Sequence, residues 1–317
     1  MLYLTDQPET TAAFLPPGAA WQPATTAPVP EDTAAWSRLF GAGKPFWRCT
    51  VDDPPDAAFP DRRVVLIDRA ARSQFDAALI RLQQGGDLPD GLVCLALEGT
   101  GFRGQRDRAW VALRGNLHVT AHYEIDRPAA WLGAGLTMWP VVAAVQAVID
   151  ASEGRAVPDI KWINDVCLQG GKLGGVLTAT RLRGERVERA LVGIGLNVAR
   201  APALAPTPFV PATACLDGYG VSLPGLLAAL VRRLDQSGRE LRTVGPEPLY
   251  QAYRDRAGFI GRTVRIWPAH SADGRDTAPL GTGRVLDLMP DLSLLIEGCL
   301  DPVRDGRLAY AASCDGS

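Results

Sequence analysis

Lys172 stands two residues before a Gly174-Gly175 pair, at the head of an apolar run over 173–177. A lysine beside backbone that carries no side chain brings a cation and bare N–H groups close to an anion. A Gln169-Gly170-Gly171 turn joins this run to an earlier one at 166–168, which follows Lys161, Trp162, Asn164 and Asp165. The pattern is that of a tight β-hairpin, and an ordinary hairpin with a solvated lysine at its turn has the same composition. A second stretch, Gly99-Thr100-Gly101-Phe102-Arg103-Gly104, runs on through Arg106 and Arg108 to Trp110. Its glycines and arginines can cradle and neutralise a phosphate; a surface loop with solvated arginines reads the same way. In a third, Gly193-Ile194-Gly195-Leu196-Asn197, alternate glycines admit a flat ligand or another backbone, or simply a packed helix. His118 and His122 share one face of a strand, with no third ligand-type residue near in sequence, which favours a structural role over a metal site.

These residues sit on recognisable elements. Apolar runs at 64–67 and 92–97 predict buried strands, the second leading straight into the Gly-rich loop, and 116–123 predicts the strand after it. Phe75, Leu79 and Leu82 mark an amphipathic helix over 73–84, ended by Gly85-Gly86. Pro128 opens a helix predicted to run to 152, with Trp139, Val142, Val145 and Ile149 on its apolar face. Helices follow at 223–241 and 248–255, separated from the Gly-rich strand by an irregular connection of many prolines at 199–211. From Gly261 four short strands (263–267, 283–288, 292–297, 308–312) suggest a small closed barrel, with a boundary near residue 258. Residues 1–60 are rich in Pro, Ala and Thr; a strand at 2–4 and a helix at 33–40, capped by Asp32 or Thr33, are the readable pieces.

A chain of 317 residues with 47% hydrophobic and 21% charged residues is a soluble globular protein of about two domains. A net charge of −2 argues against a surface built throughout for nucleic acid. The six cysteines show no paired spacing and read as reduced core residues of a cytoplasmic protein. No secretory signal is evident, and the apolar run at 131–149 reads as a buried helix rather than a membrane span.

Taken in order, the Gly-rich basic loop, the Lys-Trp-x-Asn-Asp hairpin and the Gly-x-Gly-x-Asn strand resemble the biotin protein ligases of the biotin/lipoate ligase superfamily, over roughly residues 64–312. Gly99, Gly101, Arg103, Gly104 and Trp110 match that family's loop. Lys161, Trp162, Asn164, Asp165, Lys172, Leu173 and Gly175 match its hairpin, and Gly193, Gly195 and Asn197 its later strand. The resemblance implies an α+β fold: a class II synthetase-like mixed, largely antiparallel sheet flanked by helices, plus a C-terminal SH3-like β-barrel. It divides the chain into an N-terminal extension (1–60), a catalytic domain (61–258) and the SH3-like domain (259–317).

The implied reaction has two steps. ATP and a carboxylic acid form an acyl-adenylate and pyrophosphate, and a lysine of an acceptor carrier protein then attacks the mixed anhydride. Lys172 and Arg103 are the implied catalytic residues, the first stabilising charge on carboxylate and α-phosphate, the second folding over the adenylate with the N–H groups of Gly101 and Gly104. Gly99, Trp110 (an apolar wall), Lys161, Asn164, Gly174, Gly175, Gly195 and Asn197 (toward adenine) are implied for substrate or ATP, and Asp165 for Mg²⁺ through the phosphates. ATP and Mg²⁺ are then co-substrate and activator, with no tightly bound prosthetic group. The family's helix-turn-helix is not apparent, so no DNA-binding role is implied; homodimers are common in the family.

The departures fall where the acid would bind. The family's Asp-Ser-Thr-Asn run is expected near Asp68, where Arg69, Ala70 and Ala71 follow; Ala96-Leu97-Glu98 stands where a glutamine would meet the biotin ureido group. Thr100, Phe102 and Gln105 replace loop arginines, with Arg106 and Arg108 offered instead by an inserted turn, and Ile163 replaces a proline. Each unpaired polar group of a ligand costs about 1–3 kcal/mol. Three readings stand: a biotin-type ligase with a divergent pocket, a ligase for lipoate or another small acid, and a non-catalytic paralogue that binds ligand or carrier.

Overall fold

A computed structural model describes residues 1–24, 33–41, 43–52, 59, 62–271 and 277–311, the side chains of 33–35 excepted. The proposed cap of the 33–40 helix, Ala312 and Cys314 lie outside them. The elements in chain order are β1 (Leu2–Thr5), α1 (Pro8–Thr11), β2 (Gln22–Pro23), α2 (Thr33–Phe40), β3 (Trp47–Thr50), β4 (Arg63–Ala70), α3 (Gln74–Gln83), β5 (Leu92–Gly99), β6 (Leu117–Pro128), α4 (Ala129–Leu132) and α5 (Gly135–Ala151). They continue with β7 (Asp159–Lys161), β8 (Asp165–Leu168), β9 (Gly171–Arg183), β10 (Arg186–Leu196), α6 (Leu223–Thr243), α7 (Glu247–Arg254), β11 (Thr263–Trp267), β12 (Gly281–Leu288), β13 (Leu294–Ile296) and β14 (Arg307–Tyr310).

Ten strands form one mixed sheet in the order β2-β3-β1-β4-β5-β6-β10-β9-β8-β7. β1, β4 and β5 run parallel to one another, and every other pair in the sheet is antiparallel. The first 50 residues therefore supply three strands to the central sheet, through the ladder of Leu2–Thr5 beside Arg63–Leu66. α5 is apolar on nearly every side, and it is buried accordingly, between the sheet and α6 and α7. The single helix expected from 128 to 152 is in fact two, because Gly133 takes φ +49° and breaks the chain after Leu132. The Ser73 hydroxyl caps α3 by accepting from the Asp76 amide at 3.3 Å.

The C-terminal strands pair antiparallel in the order β13-β12-β11-β14. Closure into a barrel is not a feature of that pairing: the described strands form a small open sheet, with β13 and β14 at its edges. It is packed into the main core all the same, for Val264, Ile266, Val285, Leu294 and Leu308 belong to the same buried cluster as α5. Among the described residues no helix is long and apolar enough to cross a membrane.

Candidate active site

The hairpin of β8 and β9 brings Lys172 and Asp165, seven residues apart in the chain, to 2.5 Å. Both side chains remain partly open to a cavity of about 260 Å³, bounded also by the Gly-rich loop, β6, β10, residues 202–213 and residues 304–308. Burial alone would raise the Asp165 carboxyl; the ammonium groups of Lys172 and Lys161 outweigh it and hold the carboxyl below its usual range. A Cβ on Gly175 would lie 3.7 Å from Lys172 Nζ and from Asp165 Oδ1, so glycine leaves the backbone bare beside the ion pair. Asn164 closes the start of the hairpin, donating from Nδ2 to Val176 O at 2.5 Å while its own carbonyl accepts from the Val176 amide. The peptide bond between Trp162 and Ile163 is cis.

Arg103, Gly104, Trp110, Lys161, Asn164, Asp165, Lys172, Gly175, Gly195 and Asn197 all line this one cavity. Gly99, Gly101 and Gly174 do not. Gly174 faces the Gly195 carbonyl and Gly99 faces the Phe102 ring, each too closely for any Cβ, so both serve close packing. Gly101 has φ +67° and turns the loop. The two strand glycines are filled by protein as well: a Cβ on Gly195 would meet the Trp110 indole at 2.5 Å, and one on Gly193 the Phe75 ring at 2.9 Å. Trp110 thus lies flat on β10 as a wall of the cavity.

Two expected contacts are already committed within the protein. The Gly104 amide donates to Arg108 O at 2.8 Å rather than pointing to a ligand. Asn197 is 2% exposed, and its Nδ2 donates to Ala214 O at 3.0 Å and Lys172 O at 3.4 Å. Its Nδ2 thereby holds the backbone around Lys172, while the residue stays in the cavity lining. Arg103 sits exposed, 3.3 Å from Asp107, a pair worth little by itself. Arg106, at φ 59°, reaches Asp305, just before β14, at 2.7 Å, again as an exposed pair.

The positions where the acid's polar groups were expected to find hydroxyls are occupied by ion pairs. Arg114 meets Asp68 at 2.9 Å and Glu98 at 2.8 Å, and Arg69 meets Glu98 at 2.7 Å. His118 is no metal ligand: its Nδ1 accepts from Trp110 Nε1 at 3.2 Å, which leaves the proton on Nε2 for Leu113 O at 3.1 Å. Burial pushes its pKa down to about 4, so it stays the neutral acceptor that Trp110 needs. His122 Nδ1 lies 2.9 Å from Pro89 O. Among the described residues no cluster of His, Cys, Asp or Glu could hold a metal ion. Leu204, Phe209, Thr213 and 304–308 are among the cavity residues that the sequence did not mark for the site; they reach it only through long-range packing.

The Biotin/lipoate A/B protein ligase family model matches residues 77–197, which take in the loop, the hairpin and β10. The biotin–[acetyl-CoA-carboxylase] ligase of Mycobacterium tuberculosis is 34% identical over 242 residues, covering 73% of this chain and 83% of the relative. The chain belongs to this family of biotin protein ligases. The Paracoccus denitrificans biotin–[acetyl-CoA-carboxylase] ligase is 33% identical over 54% of this chain and 72% of its own length. The fold matches that of the Aquifex aeolicus biotin protein ligase, solved in complex with biotin and ATP: TM-score 0.58, 19% identity, 79% of this chain and 99% of that one. The residues that the family model matches include Gly99, Gly101, Arg103, Gly104 and Trp110 of the loop, together with Arg106 and Arg108.

Proposed function

We propose that this ligase activates biotin with ATP and transfers it to a lysine of a biotin carboxyl carrier-type acceptor protein. The observation that carries the reading is the Lys172–Asp165 pair, set beside the bare backbone of Gly175 at the floor of the cavity. In the first step the biotin carboxylate oxygen attacks the α-phosphorus and the bond to the β-phosphate breaks, releasing pyrophosphate. Lys172 neutralises both anions as they approach, and its charge counts for most once the bound substrates have displaced water from the cavity. In the second step the acceptor amine attacks the anhydride carbonyl, AMP leaves, and the amine proton passes to solvent. Asp165 keeps the ammonium of Lys172 aimed during both steps. Arg103, Arg106 and Arg108 stand at the mouth, where they would face the phosphates. Mg²⁺ would enter with the ATP phosphates, and Asp165, whose Oδ1 is bonded to Lys172, has its second oxygen to offer. The C-terminal sheet is taken as the SH3-like module. The free thiols of Cys49, Cys94, Cys167, Cys215 and Cys299 support a cytoplasmic enzyme.

Pyrophosphate release, screened over biotin, lipoate and short fatty acids, tests the reading. Release with biotin is expected, and Lys172→Ala should lower it by about 10²–10³-fold. Release with lipoate and not biotin would reassign the acid, an outcome that the Asp68–Arg114–Glu98–Arg69 pairs make worth measuring. No release with any acid, from folded protein that binds ATP, would refute the enzyme reading.

A further inference from the structure

Residues 202–213 form a strap over the cavity. Thr213 Oγ1 donates to Pro202 O at 3.1 Å and closes the strap at its base, and Thr207 and Val210 bond each other across its tip. Beyond the tip the strap becomes a short parallel partner of β9: the Lys172 amide donates to Ala212 O, and the Ala214 amide to Lys172 O, both at 2.9 Å. The backbone of Lys172 therefore moves with the strap.

Within the tip sits Phe209, 4% exposed. Its carbonyl accepts from Lys161 Nζ. Lys161 is a buried ammonium, and a buried charge needs a partner; here one of its three N–H groups donates to the strap. The Phe209 ring packs edge-on to Trp267 with centroids 5.7 Å apart, and the Arg307 guanidinium lies 3.6 Å from its centroid. Trp267 closes β11 and Arg307 opens β14, both in the C-terminal sheet. One residue thus joins β7, the strap and the C-terminal sheet.

We infer that Phe209 is a positioning residue: the C-terminal sheet grips its ring, Lys161 grips its carbonyl, and together they fix the strap that holds the backbone of Lys172. In these terms Lys161, which also lines the cavity, has the strap as one of its partners. The inference rests on the proposed adenylating role of Lys172, and its two readouts separate the failure of one from the failure of the other.

The test uses the full chain with Phe209→Ala, Trp267→Leu (outside the cavity) and Phe209→Tyr, which keeps the ring; Phe209→Leu replaces Phe209→Ala if that variant does not fold. Hydrogen exchange of the Lys172 and Ala214 amides should quicken by about tenfold in Phe209→Ala and Trp267→Leu and return toward the unaltered rate in Phe209→Tyr. With biotin, ATP and an acceptor carrier domain, pyrophosphate released per biotin transferred should rise several-fold in the same two variants, because a loosened strap lets water reach the adenylate. Unchanged exchange in the folded variants overturns the inference. Faster exchange with an unchanged ratio overturns it too, and leaves the ligase reading intact. If the unaltered protein releases no pyrophosphate with biotin, it is the ligase reading that has failed, and exchange alone decides whether Phe209 holds the strap.

Discussion

His118 shows what one residue contributes here beyond filling space. As a neutral ring it accepts from Trp110 and donates to Leu113 O; as a cation it could not accept at all. Burial holds its pKa at about 4, against 6.5 in the unfolded chain. Between those values the unfolded state binds more protons, so stability is complete above pH 6.5 and is lost as the pH falls toward 4, by about 3 kcal/mol for this group. His122 is shifted in the same direction by the same cause. Urea unfolding at pH 7 and pH 4.5 should show the loss, and His118→Gln, which keeps an acceptor and a donor but does not titrate, should flatten the slope. An equal slope in the variant would show that other groups carry the acid sensitivity.

At the scale of elements, the end of β10 and the start of the strap depend on one side chain from the turn before β6. Asn116 is fully buried, and its Oδ1 accepts from the amides of Val198, Ala199 and Arg200 at 3.0, 3.1 and 3.2 Å. Its Nδ2 returns a bond to Arg200 O at 2.8 Å. This cap ends the strand that carries Gly195 and Asn197 and aims the chain into the strap. Asn116→Ala would strand those amides away from water, and a loss of about 3 kcal/mol is expected in chemical denaturation. Asn116→Asp, which keeps the acceptor, should lose less.

Over the whole molecule, Arg62 ties the front of the sheet to the helical layer. The guanidinium is 3% exposed, meets Asp235 of α6 at 2.5 Å, donates to Gly91 O at 3.0 Å, and lies 4.8 Å from the centroid of Phe59. Tyr123 of β6 donates to the other Asp235 oxygen at 3.1 Å. Removing one member leaves a buried charge unpaired, so Arg62→Met should cost about 3–5 kcal/mol. Arg62→Met with Asp235→Leu should recover part of that loss; no recovery would mean that Arg62 acts through its packing alone. The C-terminal sheet is held in a similar way, by Trp162 Nε1 donating to Leu292 O at 2.8 Å. That bond starts from the hairpin that carries the site.

The hairpin with Lys172 and Asp165, the Gly-rich loop and the Gly193-Gly195-Asn197 strand were all legible in the chain. Their spacing is local, and turn residues and apolar runs set strand, turn and register within a few residues of one another. Locally the spacing speaks only of an anion site; attack of a carboxylate on a nucleotide is what the resemblance carried by those motifs implies. Tertiary structure decided the rest. Asn197 Nδ2 and the Gly104 amide bond within the scaffold, the strand glycines make room for Trp110 and Phe75, and Asp68 and Glu98 are spent on Arg114. It also drew β1, β2 and β3 into the main sheet, left the described C-terminal strands in an open sheet, and seated Phe209 and 304–308 on the cavity. Each of those outcomes is a choice among partners far apart in the chain, made by the burial of apolar area and the pairing of desolvated charge, and neither is written in a local pattern.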